Sequence, residues 1–223
     1  MPYRTTPFVN DEYYHIYNRG VALQPTYLTK SEYERFLLCL SYYRFSNLSC
    51  KLSRLLQISK ELREQMLLKL EKENDQLVQI ISFALMPNHF HLLLRQSKDG
   101  GISKFIRQIT DSYTKYFNTK NDRIGPVFQG PFKAVLISTT EQLIHVSRYI
   151  HLNPLVSFVV KEENFLQFPW SSLKNYLSNN PDFVKHQPIL ENFKTPQKYL
   201  QFVLDQADYG KELERIKHLT LEK

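Results

Sequence analysis

Apolar and polar positions switch between two periods along this chain. Residues 12–18, Glu-Tyr-Tyr-His-Ile-Tyr-Asn, are aromatic and β-prone and predict a first strand that Arg19-Gly20 closes. His15 and Tyr17 share one face of that strand, Tyr14 and Ile16 the other. Thr29 and Glu32 have capping-box spacing, and Tyr33, Phe36, Leu37 and Leu40 follow at helical offsets, so a helix is expected over residues 30–44. Residues 47–78 set Leu48, Leu52, Leu55, Leu56, Leu62, Met66 and Leu70 among charged residues. This stretch reads as an amphipathic helical insertion, either an arm or partner surface or an ordinary packed helix, with the packed helix preferred to a DNA-reading element.

Two apolar runs then flank Met86-Pro87-Asn88: Ile80, Ile81, Phe83 and Leu85 before it, Leu92 to Leu94 after it. They predict a buried strand pair joined by a turn. Along the second strand His89 and His91 share a face and Phe90 takes the other. Gly100-Gly101 breaks the chain. Ile102, Phe105, Ile106, Ile109, Tyr113, Tyr116 and Phe117 then form one helical stripe. The segment from Pro126 to Ser138 begins as loop and ends as a strand starting at Lys133. Thr139 with Gln142 caps a further helix, with Leu143, Val146 and Ile150 on its core face, and Asn153-Pro154 is expected to end it. Beyond lie a turn into a short helix at Phe168-Pro-Trp-Ser-Ser172 and a helical stretch from Pro196 through Leu204 to Leu213.

The order strand, helix, strand, strand, helix, strand, helix predicts an α+β fold of split βαβ, ferredoxin-like type. Its sheet is antiparallel with helices on one face. The expected division is a domain over residues 1–158, with residues 47–78 as a helical insertion, and a C-terminal helical extension over residues 159–223.

Composition narrows the setting. With 42% hydrophobic and 23% charged residues a packed core is expected, not disorder. No apolar run approaches the roughly 20 residues of a membrane helix, and Met1-Pro2-Tyr3-Arg4 lacks the apolar core of a signal sequence. Cys39 and Cys50 are too few for a disulfide framework, so both read as reduced and the protein as cytoplasmic. Of the net charge of +7, residues 79–158 carry most, with nine Lys/Arg against four Asp/Glu. Basic charge gathered around the histidine pair suggests a polyanion, nucleic acid first; a solvated basic surface is the plain alternative.

Two imidazoles on one strand face can hold one metal ion, or they are ordinary histidines at the edge of a core. The strand motif holds no Asp or Glu, which argues against a two-metal carboxylate nuclease. There is also no Cys cluster or third motif histidine of the kind zinc hydrolases use. On the helix after Thr139, Tyr149 and Asn153 share a face with His145, while His151 points away. That surface presents a hydroxyl that could attack a phosphate and an amide oxygen that could join a metal's shell. Tyr113 and Tyr116, on the apolar stripe, rank below Tyr149, although core packing is also the plain reading of Tyr149. His15 either faces the site or is a satisfied core histidine, the second being preferred.

Leu85-Met-Pro-Asn-His-Phe-His-Leu-Leu-Leu94 resembles the His-hydrophobic-His motif of the single-tyrosine HUH transposases. Tyr149-Ile-His-Leu-Asn-Pro154 resembles the catalytic helix of the REP-associated tyrosine transposases among them. Tyr14 to Gly20, Val127 to Ala134 and Pro169 to Ser172 are similar to further segments of that group. The resemblance spans residues 11–177. Residues 47–78 lie outside its pattern, and position 131 is Pro where the pattern has Arg.

It implies a ferredoxin-like, metal-dependent endonuclease and strand transferase acting on single-stranded or hairpin DNA. His89, His91 and Asn153 would hold Mg²⁺ or Mn²⁺, and Tyr149 would be the nucleophile that forms a 5′-phosphotyrosine link. Arg19, Lys104, Arg107, Lys115, Lys133 and Arg148 are candidate phosphate contacts. A homodimer is left open, no membrane partner is expected, and the different-class alternative is a domesticated DNA- or RNA-binding module without turnover.

Overall fold

In the computed structural model, which describes residues 7–178 and 182–221, the four expected strands form one antiparallel sheet. The segment Met1-Pro2-Tyr3-Arg4 lies outside the described residues. The strands are β1 (Tyr13–Arg19), β2 (Val78–Met86), β3 (His89–Gln96) and β4 (Lys133–Ile137), in the spatial order β2-β3-β1-β4. Met86 pairs with His89, so Pro87 and Asn88 alone make the turn. Proline presets the backbone for such a corner. The turn is anchored from outside: Gly20 N–H donates to Asn88 O at 2.7 Å and Thr26 N–H to Pro87 O at 2.8 Å. This fixes the register on which the placement of both histidines depends, because a one-residue slip would turn them to the other face.

One side of the sheet carries α1 (Lys30–Tyr43) and α4 (Gly101–Lys120). The α4 stripe is buried as the periodicity predicts: Ile102, Phe105, Ile106, Ile109, Tyr113 and Phe117. Phe36 of α1 meets Phe90 of β3 with ring centres 5.3 Å apart and Tyr113 at 5.1 Å. Gly101 lets α4 start tight against the sheet, since a Cβ there would lie 2.2 Å from Leu77 O.

Helices do not keep to that one side. The helix α5 (Thr140–Val156) packs on the opposite face of β2 and β3, joined by α6 (Leu173–Leu177), α7 (Gln187–Leu190), α8 (Pro196–Leu204) and α9 (Ala207–Leu221). The physical reason is in the strands: β2 and β3 are buried on both faces along most of their length. A strand apolar on both sides needs cover on both sides.

The α5 helix is capped by Thr139, whose Oγ1 accepts from Gln142 N–H at 3.1 Å. It does not end at Asn153-Pro154 but runs to Val156 with Pro154 inside its last turn. The proline forgoes one N–H bond. The turn is held by buried Leu152 and Leu155 and by bonds from Ser157 N–H to Asn153 O and Val159 N–H to Pro154 O, each 3.0 Å.

Residues 47–78 give two helices, α2 (Leu52–Leu55) and α3 (Lys60–Glu73). Leu52 and Leu55 enter the core, whereas α3 buries no residue and is tied back through the Arg44–Glu71 ion pair. The helical run expected from Pro196 to Leu213 breaks between α8 and α9. The C-terminal segments also cover the free edge of β2. Leu85 N–H donates to Trp170 O at 2.8 Å, Ser172 N–H to Phe83 O at 3.0 Å, and Lys185 N–H to Ile80 O at 2.8 Å. Residues on both sides of position 158 share one hydrophobic core.

Candidate functional site

Antiparallel pairing puts directly opposed side chains on the same face. His91 is opposed by Tyr17 on β1 and Ala84 on β2, and Tyr17 by Lys133 on β4. One row along, His89 is opposed by Arg19. The sheet thus gathers His89, His91, Tyr17, His15, Arg19 and Lys133 on the face that α5 covers.

The geometry there is close. The His89 and His91 ring centres lie 5.0 Å apart at an interplanar angle of 87°. His15 stacks on His91 at 5.1 Å, with its Nε2 3.0 Å from His91 Nδ1. Tyr149 comes down from α5 edge-on to both, 5.4 Å from the His91 ring and 5.9 Å from the His15 ring. Asn88, in the turn, donates from Nδ2 to Leu23 O at 3.2 Å, which aims its Oδ1 at His89. His89 Nδ1–H donates to that oxygen at 2.7 Å. The bond fixes the tautomer of His89 and leaves Nε2 with its lone pair.

Burial decides the charge state of this cluster. It holds the His15 imidazole down at about 4. It also drives His91 well below the usual histidine range, and Arg19, or a proton on His89 or His15, works in the same direction. Both rings are therefore neutral near pH 7, the form that binds metals.

Tyr149 is 48% exposed, yet the part of its ring against the histidines is dry, and that desolvation raises its phenol. A hydrogen bond from the Asn153 amide pulls the other way, favouring the phenolate. The Asn153 oxygen accepts from Ser157 Oγ–H at 3.2 Å. Among the described residues no group of three or more His, Cys, Asp or Glu side chains is placed to hold a metal.

The other histidines and tyrosines sort cleanly. His151 is fully buried, its Nδ1 2.6 Å from Tyr199 Oη and its Nε2 2.7 Å from Ser172 Oγ. His145 lies outward, 2.6 Å from an Arg148 guanidinium nitrogen. Tyr113 and Tyr116 sit on α4, across the sheet from the histidine pair. Tyr113 is buried and donates to Thr26 O at 2.5 Å, and Tyr116 donates to Ser31 O at 3.4 Å.

The six basic residues divide into two sets. Arg19 and Lys133 belong to the histidine face, with the Lys133 ammonium 5.9 Å from the Tyr17 ring centre. Arg148 neighbours Tyr149 but lays its guanidinium 4.2 Å from the Phe202 ring centre. Lys104, Arg107 and Lys115 are on the other side of the sheet. They line a groove of about 1200 Å³ between α4 and residues 125–132, with Pro131 in the opposing wall.

Of the residues around the histidine pair, the sequence left His15 between two readings and preferred the wrong one, and it gave Asn88 no role beyond the turn. His15 belongs to the cluster and is not a satisfied core histidine; its period-2 spacing from Tyr17 was the available signal. Asn88 orients His89 and looked like turn material only.

The description "Transposase IS200 like" fits residues 49–153, a span that takes in both histidines, Tyr149 and Asn153 and leaves out β1 and the C-terminal segments. That span opens inside the 47–78 stretch. No curated protein matches the chain. Among solved structures, a REP-associated tyrosine transposase bound to a REP hairpin is similar in fold. Its TM-score is 0.56 at 14% sequence identity, covering 80% of this chain and 87% of that one.

Proposed function

We propose, from the match of residues 49–153 to the IS200-like transposases, that the chain is a transposase of that kind and nicks and rejoins hairpin-forming single-stranded DNA, with Tyr149 as the nucleophile. The observation that carries this reading is the Tyr149 ring packed edge-on against His91 and His15, on the one sheet face that also bears His89. The hairpin bound to the solved neighbour supports a hairpin substrate. On this reading residues 1–158 form the catalytic domain with 47–78 as its insertion, and residues 159–223 are an extension that braces it.

His89, His91 and Asn153 would hold a divalent ion, Mg²⁺ or Mn²⁺, through Nε2, Nε2 and the amide oxygen. The donor set fits such an ion because burial keeps His91 neutral and Asn88 Oδ1 takes the Nδ1 proton of His89, turning its Nε2 into the ligating atom. An ion held there would supply Lewis-acid polarisation of the scissile phosphate, the activation that a phenol of raised pKa needs. His15 Nε2 lies 3.0 Å from His91 Nδ1, and by accepting the proton of that nitrogen it would present His91 Nε2 with its lone pair.

In the cleavage step the Tyr149 oxygen loses its proton to solvent and bonds to phosphorus. The bond from phosphorus to the 3′-side oxygen breaks, and that oxygen takes a proton to become a free 3′-hydroxyl. The phosphodiester energy is conserved in the 5′-phosphotyrosine, so a second 3′-hydroxyl rejoins the strand without a nucleotide cofactor. Asn153 N–H stabilises the phenolate, and Arg19 and Lys133 place positive charge beside the phosphate.

The test is a labelled single-stranded hairpin incubated with Mn²⁺. A covalent protein–DNA adduct that survives denaturation and disappears with a chelator is expected. Tight binding without any adduct, across a panel of hairpins, would instead identify a domesticated binding module.

A further inference from the structure

Across the sheet from the histidine cluster, a second cavity of about 640 Å³ opens between α1, α2 and α4. Arg35, Lys51, Gln108, Asp111, Lys115 and Tyr116 are among its walls. Arg35 is only 9% exposed, and its Nε is buried with no acceptor. Among the described residues no hydrogen bond or ion pair reaches its guanidinium, which rests 5.2 Å from the Tyr116 ring centre. Arg44, also buried, is matched with Glu71 and donates to Ser41 O at 3.0 Å. Lys120 in the same wall is already engaged by Glu32 at 3.2 Å, while Asp111 forms no ion pair with Arg35. Gln108 also carries a buried oxygen, Oε1, with no donor. A buried cation without an anion and a buried amide oxygen without a donor are both costly, and here they line one cavity.

We infer that this pocket seats one nucleotide of the DNA substrate, its phosphate on the Arg35 guanidinium and a base or sugar donor on Gln108 Oε1. A bare phosphate or a carboxylate answers only the arginine. A nucleotide brings oxyanion acceptors together with N–H or O–H donors, so it satisfies both walls. Lys51 and Lys115 add positive charge at the walls. Asp111 and Lys115 also line the larger groove on the other flank of α4, so a strand lying in that groove reaches the Arg35 pocket by crossing the helix. The inference rests on the DNA reading above for the source of the nucleotide, though not for its chemistry.

The test uses the full chain in chelator, so that no cleavage occurs. Fluorescence anisotropy compares a hairpin bearing a single-stranded tail with the same hairpin blunt. Calorimetry with dAMP and with inorganic phosphate runs in parallel. Arg35→Met should lower affinity for the tailed hairpin about tenfold and flatten the dependence of log affinity on log salt by about 0.7, the loss of one single-strand phosphate contact. The blunt hairpin should bind as before. The melting temperature should hold or rise, because an unpaired buried charge has gone. Arg35→Lys, which keeps the charge but not the fork, should lose affinity to an intermediate degree and carries the test if the methionine variant does not fold.

A lowered melting temperature with unchanged tail affinity and salt slope would mean a structural arginine and overturn the inference. If the wild-type protein binds neither hairpin, the DNA reading fails and dAMP decides. Arg35-dependent binding of dAMP, tighter than phosphate, keeps the pocket as a free-nucleotide site. No binding, or phosphate binding as tight as dAMP, ends it.

Discussion

His15 Nε2 lies 3.0 Å from His91 Nδ1, and the two rings stack 5.1 Å apart. A neutral pair at this distance shares one proton, and its position decides whether His91 Nε2 carries a lone pair. His15→Phe keeps the stacked ring and deletes the acceptor. Mn²⁺ affinity, read by titration with electron paramagnetic resonance, should fall about 10- to 100-fold, the usual cost of losing a partner behind a ligating histidine. Unchanged Mn²⁺ affinity in a folded His15→Phe protein would leave His15 as packing alone.

Tyr149→Phe removes one oxygen from a ring that is half exposed, so folding and hairpin affinity should be kept. Covalent adduct should drop by about a thousandfold or more. Tyr113→Phe is the control: it gives up the bond to Thr26 O, costs about 1 kcal/mol of stability and leaves adduct formation intact. Adduct formation by Tyr149→Phe at the wild-type rate would remove the assignment.

Asn153 faces two ways, its N–H toward Tyr149 and its oxygen toward Ser157. Asn153→Asp keeps an oxygen ligand but loses the donor and adds a negative charge. It should retain Mn²⁺ binding while the pH profile of adduct formation moves alkaline, because the phenol rises further. Asn153→Ala should weaken Mn²⁺ binding as well and be partly rescued by excess Mn²⁺. Equal loss of metal affinity in both variants would contradict a ligand role for the oxygen.

Acid should loosen the protein through His151. Burial holds this imidazole at about 3 in the fold, against 6.5 when exposed. Below 6.5 the unfolded chain binds a proton that the folded chain refuses, so stability is complete above that pH and is lost as pH falls toward 3, by about 1.4 kcal/mol per unit. His15, at about 4, acts in the same sense. Melting temperature measured against pH should decline through this window, and more gently in His151→Gln. A parallel slope in the variant would assign the acid loss to other groups.

The strand segments, the α4 stripe and the shared face of His89 and His91 were readable in the sequence, because each is a local period, and the succession of those elements pointed to the split βαβ arrangement. The second helical layer was present there too. Leu92-Leu93-Leu94 and Ile80-Ile81 do not alternate, which already asks for cover on both faces. Pro154 misled because the rule it triggers is local, whereas Leu152 and Leu155 hold the last turn from the core. The closing of the β2 edge by Trp170, Ser172 and Lys185 has no period to find, since irregular chain pairs there through backbone groups alone. The pairing of His15 with His91 joins residues 76 apart in sequence, a partnership that strand alternation allows but does not specify.

The buried bonds of His151 have a consequence for turnover. They tie α5 to Tyr199 of α8 and to Ser172 beside the β2 edge, on the side of the helix away from Tyr149. Sliding the helix would strand the His151 imidazole and the Tyr199 hydroxyl in a dry core, since the other partner of that hydroxyl, Ser147, rides on the same helix. On the proposed reading, a DNA end joined to Tyr149 would therefore be moored to a fixed post, and between cutting and sealing the incoming strand would have to travel.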